Sequence, residues 1–238
     1  MKTYKTRAEL KFEVKNLLKG HWKQAILLYL IPLIIYLGNM YSSRSQVRTN
    51  FFNGSNYFFE TVTDSVIKPG IIGFIVTLVF LIINLSANFR SLDWLEDPQL
   101  TFDPLKSNFT YFRNPDWWKL TLLYILISIF TFLWSLLLII PGIVKGLAYS
   151  QTYFVYKDFN DRGLADNYSL TDYINKSQEL MIGNKWRFFV LQLSFLGWLI
   201  VGAITFGIGY IWILPYYKIT LANFYRDLVE KKSISNIN

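Results

Sequence analysis

Uncharged stretches of two lengths alternate along the chain with short basic segments. Gln24 to Ser43 holds twenty residues without a charge and Pro69 to Phe89 twenty-one, each one membrane span in length. Two longer stretches follow: Leu120 to Tyr156, thirty-seven residues interrupted only by Lys145, and Phe188 to Tyr225, thirty-eight interrupted only by Lys218. One helix of that length would reach about 55 Å, against a hydrocarbon core of about 30 Å, so each stretch must fold back on itself. Turn signals stand where the fold-back is needed: Ile140-Pro141-Gly142 in the first, and Gly202, Gly207 and Gly209 around Thr205-Phe206 in the second, with Pro215 as a further helix break. The pattern predicts an all-α membrane protein of about six transmembrane helices, near 24–42, 70–89, 120–138, 141–157, 188–204 and 208–226, paired as three helical hairpins. A re-entrant short hairpin would lower the count to four or five.

Each hairpin has an amphipathic segment before it. Leu10, Val14, Leu17 and Leu18 fall at i, i+4, i+7, i+8 beside a row of Lys11, Lys15 and Lys19, and Thr6 with Glu9 has capping-box spacing. Leu105, Phe109 and Phe112 precede the second hairpin, and Ile174, Ser177 and Met181 the third. Such stripes suit helices lying in the headgroup region. Trp22-Lys23, Trp118-Lys119 and Trp186-Arg187 stand immediately before uncharged runs, as interfacial anchors whose indole sits at the belt while the cation reaches phosphate. The recurrence divides a single membrane domain, 1–238, into internal repeats 1–100, 101–168 and 169–230. Ile139-Ile140-Pro141 before Lys145 and Leu147-Ala148 also parallels Ile213-Leu214-Pro215 before Lys218 and Leu221-Ala222.

Composition agrees with lipid as part of the solvent: 53% hydrophobic, 18% aromatic and only 17% charged residues. The formal net charge is +8, and position explains it. With six spans, nineteen Lys and Arg fall on the side that holds 1–23, 90–119, 157–187 and 226–238, while Arg44, Arg48 and Lys68 are on the other. Basic residues in short loops are retained in the cytoplasm, so both termini are expected there, facing anionic headgroups. The basic residues track span ends instead of forming a groove or stacking platform, so no nucleic-acid partner is expected. About twenty-three residues precede the first apolar run and no small-residue cleavage site follows it, so that run is expected to be retained as a span.

The chemistry is sparse. With no cysteine and His21 as the one histidine, a thiol nucleophile, a Cys-zinc site and a His-based triad are excluded within one chain. No phosphate-cradling loop or nucleophile elbow appears, and no metal or cofactor is expected. Asp93, Glu96, Asp97 and Asp103 would hold a divalent cation only if they converged; a solvated loop balancing Arg90 and Lys106 is the simpler reading. The sharpest candidates for binding are Lys145 and Lys218, lysines inside uncharged runs that offer no Asp or Glu. Tyr149, Tyr216, Tyr217, Gln192 and Asn223 are candidate protein partners, a lipid phosphate or an acidic peptide group the alternative. Asn84 and Asn88 could face the same interior.

The blocks Leu17-Leu18-Lys19-Gly20-His21-Trp22, Ile140-Pro141-Gly142-Ile143-Val144-Lys145-Gly146-Leu147-Ala148, Gly183-Asn184-Lys185-Trp186-Arg187 and Ala222-Asn223-Phe224-Tyr225 resemble the uncharacterised membrane family "domain of unknown function 975". The resemblance implies an integral protein of the bacterial cytoplasmic membrane and brings no catalytic residues with it. Three functions are expected in order: a non-enzymatic protein engaging lipid or membrane-active peptides, in envelope homeostasis or antimicrobial tolerance; a small transporter or channel subunit, which would need a homo-oligomer or a membrane-protein partner; and a metal-dependent lipid-modifying enzyme built on the acidic residues.

Overall fold

The computed structural model describes residues 4–50 and 68–235. Every regular element among them is helical: α1 (Arg7–Leu18), α2 (Trp22–Asn50), α3 (Lys68–Glu96), α4 (Pro104–Ser107), α5 (Trp117–Leu137), α6 (Ile139–Tyr149), α7 (Thr152–Asp161), α8 (Leu170–Leu180), α9 (Lys185–Leu193), α10 (Leu196–Ile204) and α11 (Tyr210–Ser235). Three stretches are long and apolar enough to cross a membrane, Gly73–Glu96, Trp117–Leu136 and Lys185–Ile204, and Trp22–Ile35 is a shorter apolar helix.

Element bounds depart from the sequence expectation for local reasons. Ser42 to Asn50 contains neither Gly nor Pro, so α2 runs on past the expected end at 42. Most of the expected 43–68 loop lies outside the described residues. Pro69 occupies the first turn of α3, where its missing N–H costs nothing, and Pro98 follows the helix end at Glu96. The expected span 141–157 is two helices bent at Ser150-Gln151, where side-chain hydroxyls take the carbonyls: Ser150 donates to Leu147 O (2.7 Å), Thr152 to Tyr149 O (2.8 Å) and Ser177 to Ala148 O (2.7 Å). The expected span 188–204 bends in the same way at Ser194-Phe195, where Ser194 O accepts from Lys11 Nζ at 3.1 Å.

The two tight turns are made differently. The first break is the extended residue Leu138 (φ −162°, ψ 147°), three residues before Pro141, which sits harmlessly in the first turn of α6. Gly142 is required for close approach: a Cβ there would meet Ser135, its backbone Cα at 2.9 Å. The second turn is Thr205–Gly209, with Phe206 and Gly207 at positive φ of 54° and 93°. Pro215, expected as a helix break, lies inside the continuous α11.

Helix α11 is the hub, packing against α1, α2, α3 and α10, while α5 pairs with α6 and α6 leans on α8 and α9. Facing pairs show the directions. Phe130 lies 6.3 Å from Tyr149 across α5 and α6, and Tyr210 Oη donates to Leu199 O at 3.0 Å across α10 and α11. Large apolar side chains cover the outside: Phe132 and Leu136 of α5, Ile140 of α6 and Ile204 of α10 are more than 60% exposed. A contiguous apolar surface of this kind marks contact with lipid or with another protein.

Amphipathic stripes at α1 and α8 are covered by protein. Leu10, Val14 and Leu18 of α1, and Ile174, Ser177 and Met181 beside α8, are buried, so these faces do not lie open to headgroups. An apolar stripe requires an apolar partner without specifying which, and here α11 and the α6–α7 bend supply it. Only the middle set, Leu105, Phe109 and Phe112, is exposed.

Candidate functional site

The four residues singled out in the sequence go to four environments. Lys145 donates to Gln178 Oε1 on α8 at 3.2 Å and lies 4.7 Å from the Trp134 ring centroid. Asn84 turns back on its own helix, donating to Phe80 O at 3.0 Å. Asn223 is buried and donates to Leu10 O (3.1 Å) and Glu13 Oε2 (2.9 Å). Lys218 alone lines a cavity, and no hydrogen bond or ion pair to it exists among the described residues. The two lysines part company because they stand on different helices: Lys145 on α6, which packs on α5 and α8, and Lys218 on α11, which packs on α2 and α3.

The cavity, about 180 Å³, lies where α3, the α6–α7 bend, α9 and α11 meet. Its polar lining is Lys218, Gln151, Asn88, Gln192, Ser150 and Tyr153; Phe154, Phe188 and Leu221 are among the apolar walls. No carboxylate lines it. Gln151 is 1% exposed, fixed by a 2.8 Å bond from its Nε2 to Ser150 Oγ and by a 3.2 Å bond from its backbone N–H to Ser177 Oγ, and its Oε1 has no partner. Asn88 Oδ1 accepts from the buried Tyr29 hydroxyl at 3.1 Å. An ammonium beside neutral amides and hydroxyls, with no carboxylate in the wall, is a charge left without a counter-charge from the protein. Gln192 was anticipated as a partner of these lysines and Asn88 as an inward-facing residue; Gln151 was not, because the hydroxyl-made bend that buries it carries no Gly or Pro signal.

A second, larger cleft of about 880 Å³ opens between α7, α8 and α11, lined by Arg162, Lys176, Arg226, Lys232 and Lys5 together with Glu96, Asp158 and Glu230. Around it runs an ion-pair network. Lys5 bridges Glu13 (2.9 Å) and Glu230 (3.6 Å), Arg226 holds Glu13 (3.0 Å) and the Leu95 carbonyl, and Arg187 pairs with Asp227 while donating twice to Lys5 O (3.0 and 2.7 Å). Burial pushes the Glu13 carboxyl up, but hydrogen bonds from Lys5 and Asn223 and the charges of Lys5 and Arg226 outweigh it and hold the group below the ordinary carboxylate value.

The tryptophan-basic pairs divide. Trp118 and Trp186 are exposed, whereas Trp22 packs partly against the core. Lys23 is exposed, but Lys119 is engaged by Asp116 (3.2 Å) and Asp166 (2.7 Å), and Arg187 clamps the N-terminal segment. The acidic residues disperse: Asp93 pairs with Lys157 and Arg90, Asp97 accepts from Gln99 N, and Asp103 caps α4. Among the described residues no three acidic or histidine side chains converge on a metal-sized space.

No curated protein and no solved structure matches this chain. The model of the family described as "Protein of unknown function (DUF975)" matches residues 1–145 and 136–232, so that nearly the whole length is covered. With that coverage, the chain belongs to the DUF975 family.

Proposed function

We propose that this chain is a non-enzymatic, multi-pass protein of the bacterial cytoplasmic membrane that holds the anionic group of a lipid or a membrane-active peptide inside its helix bundle, in envelope homeostasis or antimicrobial tolerance. The observation that carries the reading is Lys218, unpaired beside a polar cavity with no acid in its wall. Six spans with both termini in the cytoplasm are supported by the ion pairs, which join 1–23, 90–119, 157–187 and 226–238, the four basic segments placed on one side by the charge count. The exposed apolar faces of α5 and α10 are the surfaces such a protein would turn to lipid.

Native mass spectrometry of the protein released from its own membranes tests the reading. Wild type is expected to retain an anionic lipid or peptide that Lys218→Leu loses, with Lys145→Leu unchanged. Equal adducts in all three forms would reject it.

A transporter or channel subunit is the second reading, favoured by a polar cavity adjoining a polar cleft inside one bundle. Such a role would require assembly, and a strictly monomeric species in native-like lipid would count against it.

A further inference from the structure

One pair of stacked rings links the lining of the cavity to the lining of the cleft. Tyr225 lines the cleft and Phe154 lines the cavity. Their rings stack at 5.1 Å with 23° between planes. The Tyr225 hydroxyl donates to Asp158 Oδ2 at 2.7 Å, on the cleft side. Spacing on the two helices is the same: Gln151, Phe154 and Asp158 recur at i, i+3, i+7 on the α7 side, and Lys218, Leu221 and Tyr225 at i, i+3, i+7 on α11. Gln151 and Lys218 thus line the cavity, and seven residues further along each segment Asp158 and Tyr225 line the cleft and are joined by a hydrogen bond.

Resting on the reading of Lys218 as an anion site, we propose that cleft and cavity form one path along which a compact anionic group, a phosphate or a carboxylate, reaches Lys218 from the polar face of the protein, and that Tyr225, stacked on Phe154 and latched to Asp158, closes it.

Size supports a small ligand group. A cavity of about 180 Å³ has room for some six waters at ~30 Å³ each, short of the ~300 Å³ at which drug-sized sites begin, while the cleft at about 880 Å³ falls within that range. The cleft thus admits a whole molecule and the cavity only its charged end. The sign comes from the cavity, where Lys218 is the one charged residue in the wall; the cleft's five cations are matched by its three carboxylates together with Glu13 and Glu179 behind them. The latch supports the gate. A tyrosine hydroxyl bound to a carboxylate is a single removable contact, and the ring it holds lines the cleft while stacking on a ring that lines the cavity.

The chain contains no cysteine, so Leu221→Cys gives one thiol in the cavity wall of the full-length protein in lipid nanodiscs. Its labelling by an anionic and by a cationic methanethiosulfonate reports access and local charge together. The expected results are faster labelling by the anionic reagent, loss of that preference in Lys218→Gln, and a rise of about tenfold for both reagents when Tyr225→Phe or Asp158→Ala removes the latch, the worth of one hydrogen bond to a carboxylate. Both substitutions leave the ring stack in place, and a circular dichroism melt identifies any variant that fails to fold. Unchanged rates in both latch variants overturn the gate while leaving the anion site standing. Absence of charge preference with a latch effect present overturns the anion site and leaves the path. Slowing by inorganic phosphate assigns the ligand to a soluble anion, slowing only when phosphatidylglycerol replaces phosphatidylcholine assigns it to a headgroup, and slowing by neither overturns the ligand.

Discussion

Asn223 of α11 donates one amide group to both the main chain and a side chain of α1, 3.1 Å from Leu10 O and 2.9 Å from Glu13 Oε2. That contact joins segments 210 residues apart and explains why the N-terminal stripe is covered by the hub helix. Replacing it with Leu removes both bonds, while Glu13 Oε2 keeps Arg226. Asn223→Leu is expected to lower stability by about 1–3 kcal/mol, read as a fall in melting temperature in detergent, with Asn84→Leu as a control that moves it little.

Arg187 was read from sequence as a phosphate-reaching anchor and is found clamping Lys5 O and Asp227. Lysine keeps the charge and loses the fork. Arg187→Lys is therefore expected to cost about 1–2 kcal/mol in thermal stability while leaving binding to anionic vesicles unchanged. A selective loss of vesicle binding would restore the anchor role.

Gly142 and Gly197 make opposite predictions. At Gly142 a methyl group would press on the Ser135 backbone, so Gly142→Ala should force α5 and α6 apart at a cost of about 1–3 kcal/mol. Around Gly197, inside α10, there is open space, and Gly197→Ala should be neutral or stabilising by about 0.5–1 kcal/mol. Paired thermal melts of the two variants check the difference in sign.

Acid stability should depend on Glu13. Its carboxyl titrates below the ordinary 4.5 in the folded protein, so the stability it adds is present above that value and is lost as pH falls through the folded value. The melting temperature is expected to drop below pH 4.5, and Glu13→Gln to make that drop shallower. The partners responsible are Lys5, Asn223 and Arg226, with Glu230 sharing Lys5.

Much of the fold was legible because long uncharged runs leave few alternatives to helices: α3, α5 and the α9–α10 pair stand where those runs stand, and the second turn falls among Thr205, Phe206 and Gly207 as its glycines suggested. The bends at Ser150-Gln151 and Ser194-Phe195 were not legible, since hydroxyl-to-carbonyl bonds and a reaching Lys11 make them, and serine in an apolar run announces neither. The site was half legible. Lys218 stood out as a charge in the wrong solvent, but so did Lys145, which α6 carries against Gln178 of α8 and Trp134 of α5. Gln151, a polar residue in a run full of them, becomes notable only once its Oε1 is seen without a partner.

Lys218 is proposed to hold an anion that the protein itself does not supply. A high-resolution structure determined in native lipid nanodiscs tests it most directly. Density for a phosphate or carboxylate group is expected within hydrogen-bond distance of Lys218 Nζ, and Lys218→Leu should abolish that density. A dry cavity, or a carboxylate of the chain itself paired with Lys218, would contradict it.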